Sequence, residues 1–197
     1  MVYYVICEYE KVKDKFPEFN TVMQQLQDKL LAKAIKDWSG SYGGVYPTSG
    51  QFGKTTIQPS LFNGLAPAFH PLTTWEQWFN ATGAQIILAG AAAGGTIYED
   101  YKVGICGLAF LDKAIRISEF KMQISDAKLP RINIEEALAY NKPAVVFEDS
   151  WILDEESGFE LTALVNSQGP QRIKPIGLQL NRVPNKLQVT NTGAPLT

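Results

Sequence analysis

The sequence predicts a mainly β protein, an antiparallel β-sandwich, and two observations carry that prediction. From Tyr101 onward, short apolar runs are separated by turn-forming residues about every 8 to 12 positions, which is typical of sandwiches. Long helical patterns between those runs, which would indicate a parallel α/β fold, are missing. The chain has 197 residues, 45% of them apolar, and a net charge of −2, so it can bury a sizeable core. We expect one folding unit in three parts.

The first part, residues 1–40, is predicted to be an N-terminal arm made of a strand and a helix. Val2 to Cys7 has the composition of a short strand. From Glu18 to Trp38, apolar residues recur at the i, i+3, i+4, i+7 spacing that places them on one face of a helix. Lysines and aspartates share the opposite face, which predicts a solvated surface of mixed charge.

The second part, residues 41–98, is predicted to be a long low-charge segment that connects the helix to the sandwich. Residues 38–98 contain two charged side chains, Lys54 and Glu76, whereas about 25% of residues are charged in typical soluble domains. Protein interfaces deplete charge and enrich aromatic residues, so one hypothesis is a surface covered by neighbouring copies. Its candidate interface residues are Trp38, Tyr42, Tyr46, Phe52, Phe62, Trp75, Trp78 and Phe79. The equal alternative is a loop folded over the chain's own core, since glycine and proline in residues 39–71 leave room for no long element.

The third part, residues 99–197, is predicted to form the core of the sandwich. Its predicted strands are Tyr101 to Leu111, Ala114 to Ile124, Ala144 to Phe147, Trp151 to Leu153, Phe159 to Val165, Arg172 to Arg182 and Leu187 to Val189. Alternation changes phase at Ser118-Glu119, which predicts a β-bulge. Pro175 and Gly177 indicate either an edge strand or a second bulge. One short helix is predicted over Ile134 to Tyr140.

The chain has too few reactive side chains for several kinds of metal or catalytic site. One histidine, His70, and two cysteines, Cys7 and Cys106, are too few for a zinc site built from Cys and His alone. Both cysteines lie in apolar runs and are expected to be ordinary buried thiols, although whether they pair stays open. No nucleophile and base occur in a recognisable arrangement, so we assign no catalytic residue, metal or cofactor.

Charge also limits the partners and the compartment. The chain has no polybasic patch, so no specific nucleic acid is expected. Its first residues lack the pattern of a signal peptide, and no strongly apolar run has the length of a transmembrane helix. The acidic run Asp154-Glu155-Glu156, next to Asp149, could bind a hard cation such as calcium, but a solvated turn between strands is the favoured interpretation.

Residues of about 100–190 resemble the sandwich half of jelly-roll capsid proteins from tailless icosahedral viruses. The resemblance lies in four stretches: Phe110 to Ile124, Pro143 to Glu148, Gly158 to Val165 and Gly169 to Leu180. It implies a single jelly roll that packs into pseudo-hexameric or pentameric capsomers, with copies of itself and other capsid proteins as partners. A jelly roll needs eight strands, so one or two strands are expected from the first half of the chain.

The resemblance favours a structural protein of a viral capsid, located in the virion and in the host cytoplasm during assembly. The aromatic residues Tyr3, Tyr4 and Trp38 suggest a contact with a membrane inside the shell. Two alternatives stay open. One is a β-sandwich binding module for carbohydrate or peptide that uses exposed Trp and Tyr side chains. The other is a hydrolase whose carboxylates come together only in the folded chain.

Overall fold

The computed structural model describes residues 4–38, 52–62 and 74–182, which form two packed antiparallel sheets. The described strands are β1 (Tyr4–Glu8), β2 (Phe52–Thr56), β3 (Glu76–Phe79), β4 (Gly83–Ala89), β5 (Tyr101–Phe110), β6 (Ile117–Ile124), β7 (Ala127–Lys128), β8 (Ile132–Asn133), β9 (Pro143–Leu153), β10 (Phe159–Val165) and β11 (Gly169–Arg182). The α-helices are α1 (Val12–Lys15) and α2 (Phe19–Trp38). Short 3-10 helices span Tyr9–Lys11, Pro59–Leu61, Ala93–Gly95 and Glu135–Ala139.

The larger sheet has the strand order β1-β9-β5-β11-β2, with β3 also paired to β11. The smaller sheet has the order β4-β10-β6-β7, with β8 also paired to β6. Every one of these pairs is antiparallel. Apolar side chains from both sheets fill the space between them, and Phe120 of β6 meets Phe147 of β9 with ring centroids 6.4 Å apart. The prediction of a mainly β, antiparallel sandwich is therefore confirmed.

Helix α2 covers the outer face of the larger sheet. Its buried residues, Val22, Leu26, Leu30, Ala34 and Trp38, follow one another every four positions and so lie on one side of the helix. This side packs against β5, β9 and β11. Strand β5 has a glycine beneath the helix, Gly104, where an added Cβ would lie 2.4 Å from the Leu26 side chain. The predicted helix is confirmed within one residue, and it lies on the chain's own sheet.

Two predicted irregularities occur where the alternation of the sequence breaks. In the β6–β10 pair, Glu119 lies opposite Leu164 and Ile117 lies opposite Val165, so Ser118 is the extra residue of a bulge. In the β5–β11 pair, the register shifts between Ile176 and Gly177. The predicted bulge at Pro175 and Gly177 is therefore confirmed, with Cys106 of β5 as the extra residue. Strand β11 lies between β5 and β2 over residues 178–182, whereas residues 174–177 pair with β5 alone among the described strands.

Several element boundaries differ from the predictions. The strands predicted over residues 144–147 and 151–153 are parts of β9, and the helix predicted from Ile134 is the 3-10 turn Glu135–Ala139. The low-charge segment supplies β2, β3 and β4, so strands from the first half of the chain do join the sandwich. The predicted strand over residues 187–189 lies outside the described residues, as does His70.

Candidate interaction surface

Most of the predicted interface residues that the structure describes lie inside the chain's own core. The buried ones are Trp38, Phe52, Phe62 and Phe79, and Trp75 is half-buried against Phe62. Trp78, on β3, is 52% exposed and so can contact another molecule. Tyr42 and Tyr46 lie outside the described residues. The aromatic enrichment of the described part of the segment therefore serves intramolecular packing, as the folded-over alternative predicts, with Trp78 as the exception.

Trp38 packs at the end of α2 and connects it to the sheet. Its ring lies 5.5 Å from the ring of Phe52 on β2, centroid to centroid. Its indole N–H donates a hydrogen bond of 3.0 Å to Glu155 Oε1, in the turn after β9. Because Glu155 accepts a hydrogen bond from the indole N–H, the Trp38 ring can be buried against Phe52 without leaving a donor unpaired. This position explains why Trp38 is 1% exposed although it ends a surface helix.

A cluster of charges surrounds Trp38, and its centre is the buried Lys102 of β5. Lys102 Nζ lies 2.8 Å from Asp37 Oδ2 and 3.1 Å from Asp154 Oδ1, and 5.2 Å from the centroid of the Trp38 ring. Lys33 Nζ also lies 3.1 Å from Asp154 Oδ2. Desolvation opposes ionisation of Asp37, but the hydrogen bond and charge of Lys102, together with Lys33, hold the pKa of Asp37 below its ordinary value. The hydrogen bond to Asp154 raises the pKa of Lys33.

The ion pairs of this cluster argue against a cation site at Asp149, Asp154 and Glu156. Asp154 binds the ammonium groups of Lys102 and Lys33, while Asp149 and Glu156 are exposed. Within residues 4–38, 52–62 and 74–182, no three His, Cys, Asp or Glu side chains form a group that could hold a metal ion. The favoured interpretation, a turn between strands, agrees with Asp154 and Glu156 at the start of the β9–β10 connection.

The two cysteines are buried and free between α2 and the larger sheet. Cys7 and Cys106 belong to the same apolar cluster, and Cys106 Sγ lies 3.3 Å from Met23 Sδ. Burial raises the pKa of Cys106 to about 12, and it also raises the pKa of Cys7. A thiol with so high a pKa is a poor nucleophile near neutral pH. The prediction of ordinary buried thiols is confirmed, and the structure contains no bond between them.

The smaller sheet presents an outer surface with exposed apolar residues. In β10, Phe159, Leu161, Ala163 and Val165 are buried, so the alternate residues point outward. Thr162 lies opposite Ile86 of β4 and Lys121 of β6, and Leu164 lies opposite Ala84 and Glu119. Ile86 is 43% exposed and Leu164 is 37% exposed. We call this set, Ala84, Ile86, Glu119, Lys121, Thr162 and Leu164, the outer face.

An open cleft of about 630 Å³ lies beside one end of the outer face. Its walls include the alanine- and glycine-rich turn of residues 91–95 and the tight turn that contains Ser125 and Asp126. Glu160, Gln123 and Ile86 also line it. Glu160 accepts a hydrogen bond from Thr162, and Gln123 donates one to the Ser125 carbonyl. The cleft thus combines small apolar walls with carboxylate, amide and hydroxyl groups.

Sequence reasoning missed the outer face, although part of the signal was present. The alternation in Phe159 to Val165 places odd-numbered residues inward, which leaves an apolar Leu164 on the outward side. The alternation therefore places one apolar side chain, Leu164, at the solvent-facing side of the strand. Ile86 carried no such sign, because Ile86-Ile87-Leu88 is an unbroken apolar run.

Comparison with protein-family models, with curated proteins and with solved structures finds no match to this chain. Among the described helices, none is both long and apolar enough to cross a membrane.

Proposed function

We propose that this chain is a structural protein of a viral capsid, a jelly-roll subunit that assembles with copies of itself and with other shell proteins. The proposal places it in the virion and assigns it no catalytic role. The observation that carries it is the nested pairing of its strands, which is the pairing that a jelly roll requires.

A jelly roll forms when a long antiparallel hairpin of eight strands wraps into two sheets. The first strand then pairs with the last, the second with the seventh, the third with the sixth and the fourth with the fifth. Taking β2, β4, β5, β6, β7, β9, β10 and β11 as the eight, the corresponding pairs here are β2–β11, β4–β10, β5–β9 and β6–β7. Strand β3 lies on the same side of β11 as β2, and β1 extends the larger sheet beyond β9. All four nested pairs support the assignment.

The two outer faces of the sandwich support a role in assembly. Helix α2 covers the larger sheet, whereas the outer face of the smaller sheet exposes Ile86 and Leu164. Exposed apolar residues rimmed by charged ones are typical of surfaces that contact other proteins. Trp78, exposed at the edge of the larger sheet, gives a second contact position. Several separate contact positions are what a subunit needs to form a closed shell.

Electron microscopy of the purified full-length chain tests the proposal. We expect rings or closed particles of uniform size at high protein concentration, formed by the chain alone or with the other shell proteins. The matched control is a Trp78→Ala, Leu164→Ser variant, which removes two exposed apolar side chains and leaves the core unchanged. Wild-type protein that shows no regular assembly in either condition would overturn the proposal.

A second candidate function is a binding module for carbohydrate or peptide, and the cleft favours it. Jelly rolls also occur in lectins, and the cleft offers Asp126, Glu160, Gln123 and Ser125 as hydrogen-bonding groups. Titration with oligosaccharides and short peptides, followed by nuclear magnetic resonance, would test it. Saturable shifts confined to the cleft residues and lost in Glu160→Gln support the module. Unchanged spectra at millimolar ligand would exclude it for the ligands tested.

A further inference from the structure

Among the strands that the structure describes, β4 forms an edge of the smaller sheet. It pairs with β10 along one side, and no described strand pairs with its other side. Among the described residues, no backbone hydrogen bond from a turn or loop reaches Gly83–Ala89. A row of unpaired N–H and C=O groups is a template for one kind of partner, another β-strand.

Strand β4 is also the longest described edge strand without a charged residue. Proteins guard exposed edges with charged residues or by keeping the strand very short. The other described edge strands have such features: β1 contains Glu8, β2 contains Lys54, β3 contains Glu76, and β7 and β8 have two residues each. Strand β4 has seven residues and no charge, and its flanks, residues 77–82 and 90–98, have none either. A second copy of this edge would therefore meet no like charge.

The alternation of β4 makes it complementary to itself. Ala84 and Ile86 point outward, while Gly83 and Gln85 point to the opposite side, as their partners on β10 do. The register shift against β10 leaves Ile87 as a bulged residue, and Ile87 is buried. In an antiparallel pair centred on Gln85, Ala84 of one copy would lie opposite Ile86 of the other, and Gly83 opposite Ile87. Within each pair, the two opposite residues then point to the same side of the joined sheet.

We propose that β4 pairs antiparallel with β4 of a second copy of this chain, in a two-fold contact centred on Gln85. The inference rests on the proposed function, because it names the edge through which the copies associate. The pair joins two smaller sheets into one, and it covers the exposed Ile86 of each copy with Ala84 of the other. Such an isologous contact is closed, and the remaining surfaces stay available for further contacts.

Cysteine cross-linking tests this register directly. A mixture of Ala84→Cys protein with Ile86→Cys protein should form disulfide-linked dimers, because directly opposite residues have Cα atoms about 4.5 to 5.5 Å apart. The control is Thr162→Cys on β10, which would lie about 16 Å from its copy, three strand spacings across and two residues along the strand. We expect cross-linking of the mixture to be on the order of tenfold faster than that of the control. Cys7 and Cys106 are buried and do not compete.

A lysine at the edge gives an independent measurement that needs no cross-link. Ile86→Lys should lower the mass of the assembly in light scattering, since a lysine on an edge strand opposes pairing. Gln25→Lys adds the same charge at an exposed position of α2, away from the outer face and from β4, and should leave the mass unchanged. An unchanged mass for Ile86→Lys, or equal losses for both variants, would overturn the edge contact.

The two proposals fail in different ways. Regular particles that form without cross-linking between positions 84 and 86 would overturn the β4 contact and leave the capsid function standing. Cross-linked dimers that never form larger assemblies would overturn the capsid function and leave the β4 contact standing.

Discussion

The ammonium group of Lys102 lies 2.8 Å from the carboxylate of Asp37, and this contact joins the last turn of α2 to the middle of the larger sheet. Lys102 is 1% exposed, so its ammonium group is removed from water and donates hydrogen bonds to the carboxylates around it instead. Asp154 contributes a second carboxylate from the end of β9, and the Trp38 ring lies beside the same ammonium group. The helix is therefore held at this end by ion pairs and along its length by apolar packing.

The first prediction concerns stability in acid. The pKa of Asp37 is lower in the folded chain than in the unfolded chain, so its contribution is present above about pH 4 and is lost as the pH falls through the folded pKa. Asp37→Asn should lower the free energy of unfolding by about 0.5 to 1 kcal/mol at neutral pH, and by less in acid. Urea denaturation at about pH 7 and about pH 3 measures this.

The control for the acid experiment is Asp28→Asn, an exposed change on the same helix whose carboxylate accepts a hydrogen bond from Gln24. It should lower the free energy of unfolding at neutral pH by less than Asp37→Asn does, because it removes a surface hydrogen bond and no contact to Lys102. Equal effects of the two substitutions at both pH values would show that the Lys102 contact does not stabilise the fold.

The second prediction concerns the thiols. With a pKa of about 12, Cys106 is ionised in about one molecule in 10,000 at pH 8, and burial also raises the pKa of Cys7. A thiol-reactive disulfide reagent should therefore label neither cysteine of the folded chain at an appreciable rate. In denaturant it should label both. Rapid labelling of the folded chain, or fewer than two thiols in denaturant, would contradict the buried, unpaired state.

The third prediction concerns the irregular pairing of β5 with β11. Gly177 has φ of +157°, and an added Cβ would lie 1.9 Å from the Gly104 carbonyl oxygen. Gly177→Ala should lower the free energy of unfolding by about 3 kcal/mol, since two central strands would have to separate. Gly158→Ala is the matched control, because its Cβ would lie 3.8 Å from the nearest atom. Denaturant titration measures the free energy of unfolding of both variants, and equal values would contradict the close approach of β5 and β11.

The sequence predicts those elements whose pattern is local. Phe159 to Val165 has strict alternation, and β10 has the predicted bounds. The phase change at Ser118 predicts the bulge, because an extra residue in one strand shifts every later side chain to the other face. Helix α2 follows from its apolar spacing. In each case a few neighbouring residues determine the geometry.

Elements that depend on distant partners could not be predicted in this way. Strand β2, Phe-Gly-Lys-Thr-Thr, has no alternation and becomes a strand because β11 pairs with it. Lys102 is the one charge in an apolar run, and nothing nearby in the sequence shows that Asp37 and Asp154 meet it. Aromatic residues without charge also suit a core and an interface equally well, so Phe62 and Trp78 look alike in sequence although only Trp78 is exposed.

The molecular mass of the purified chain in solution tests the central claim, that the chain associates with copies of itself, most directly. Light scattering across a concentration series should give a mass that rises above the 21.8 kDa of one chain toward a fixed multiple. It should fall again when Ile86 is replaced by lysine. A constant mass of one chain at every concentration, with a folded β spectrum, would contradict the account.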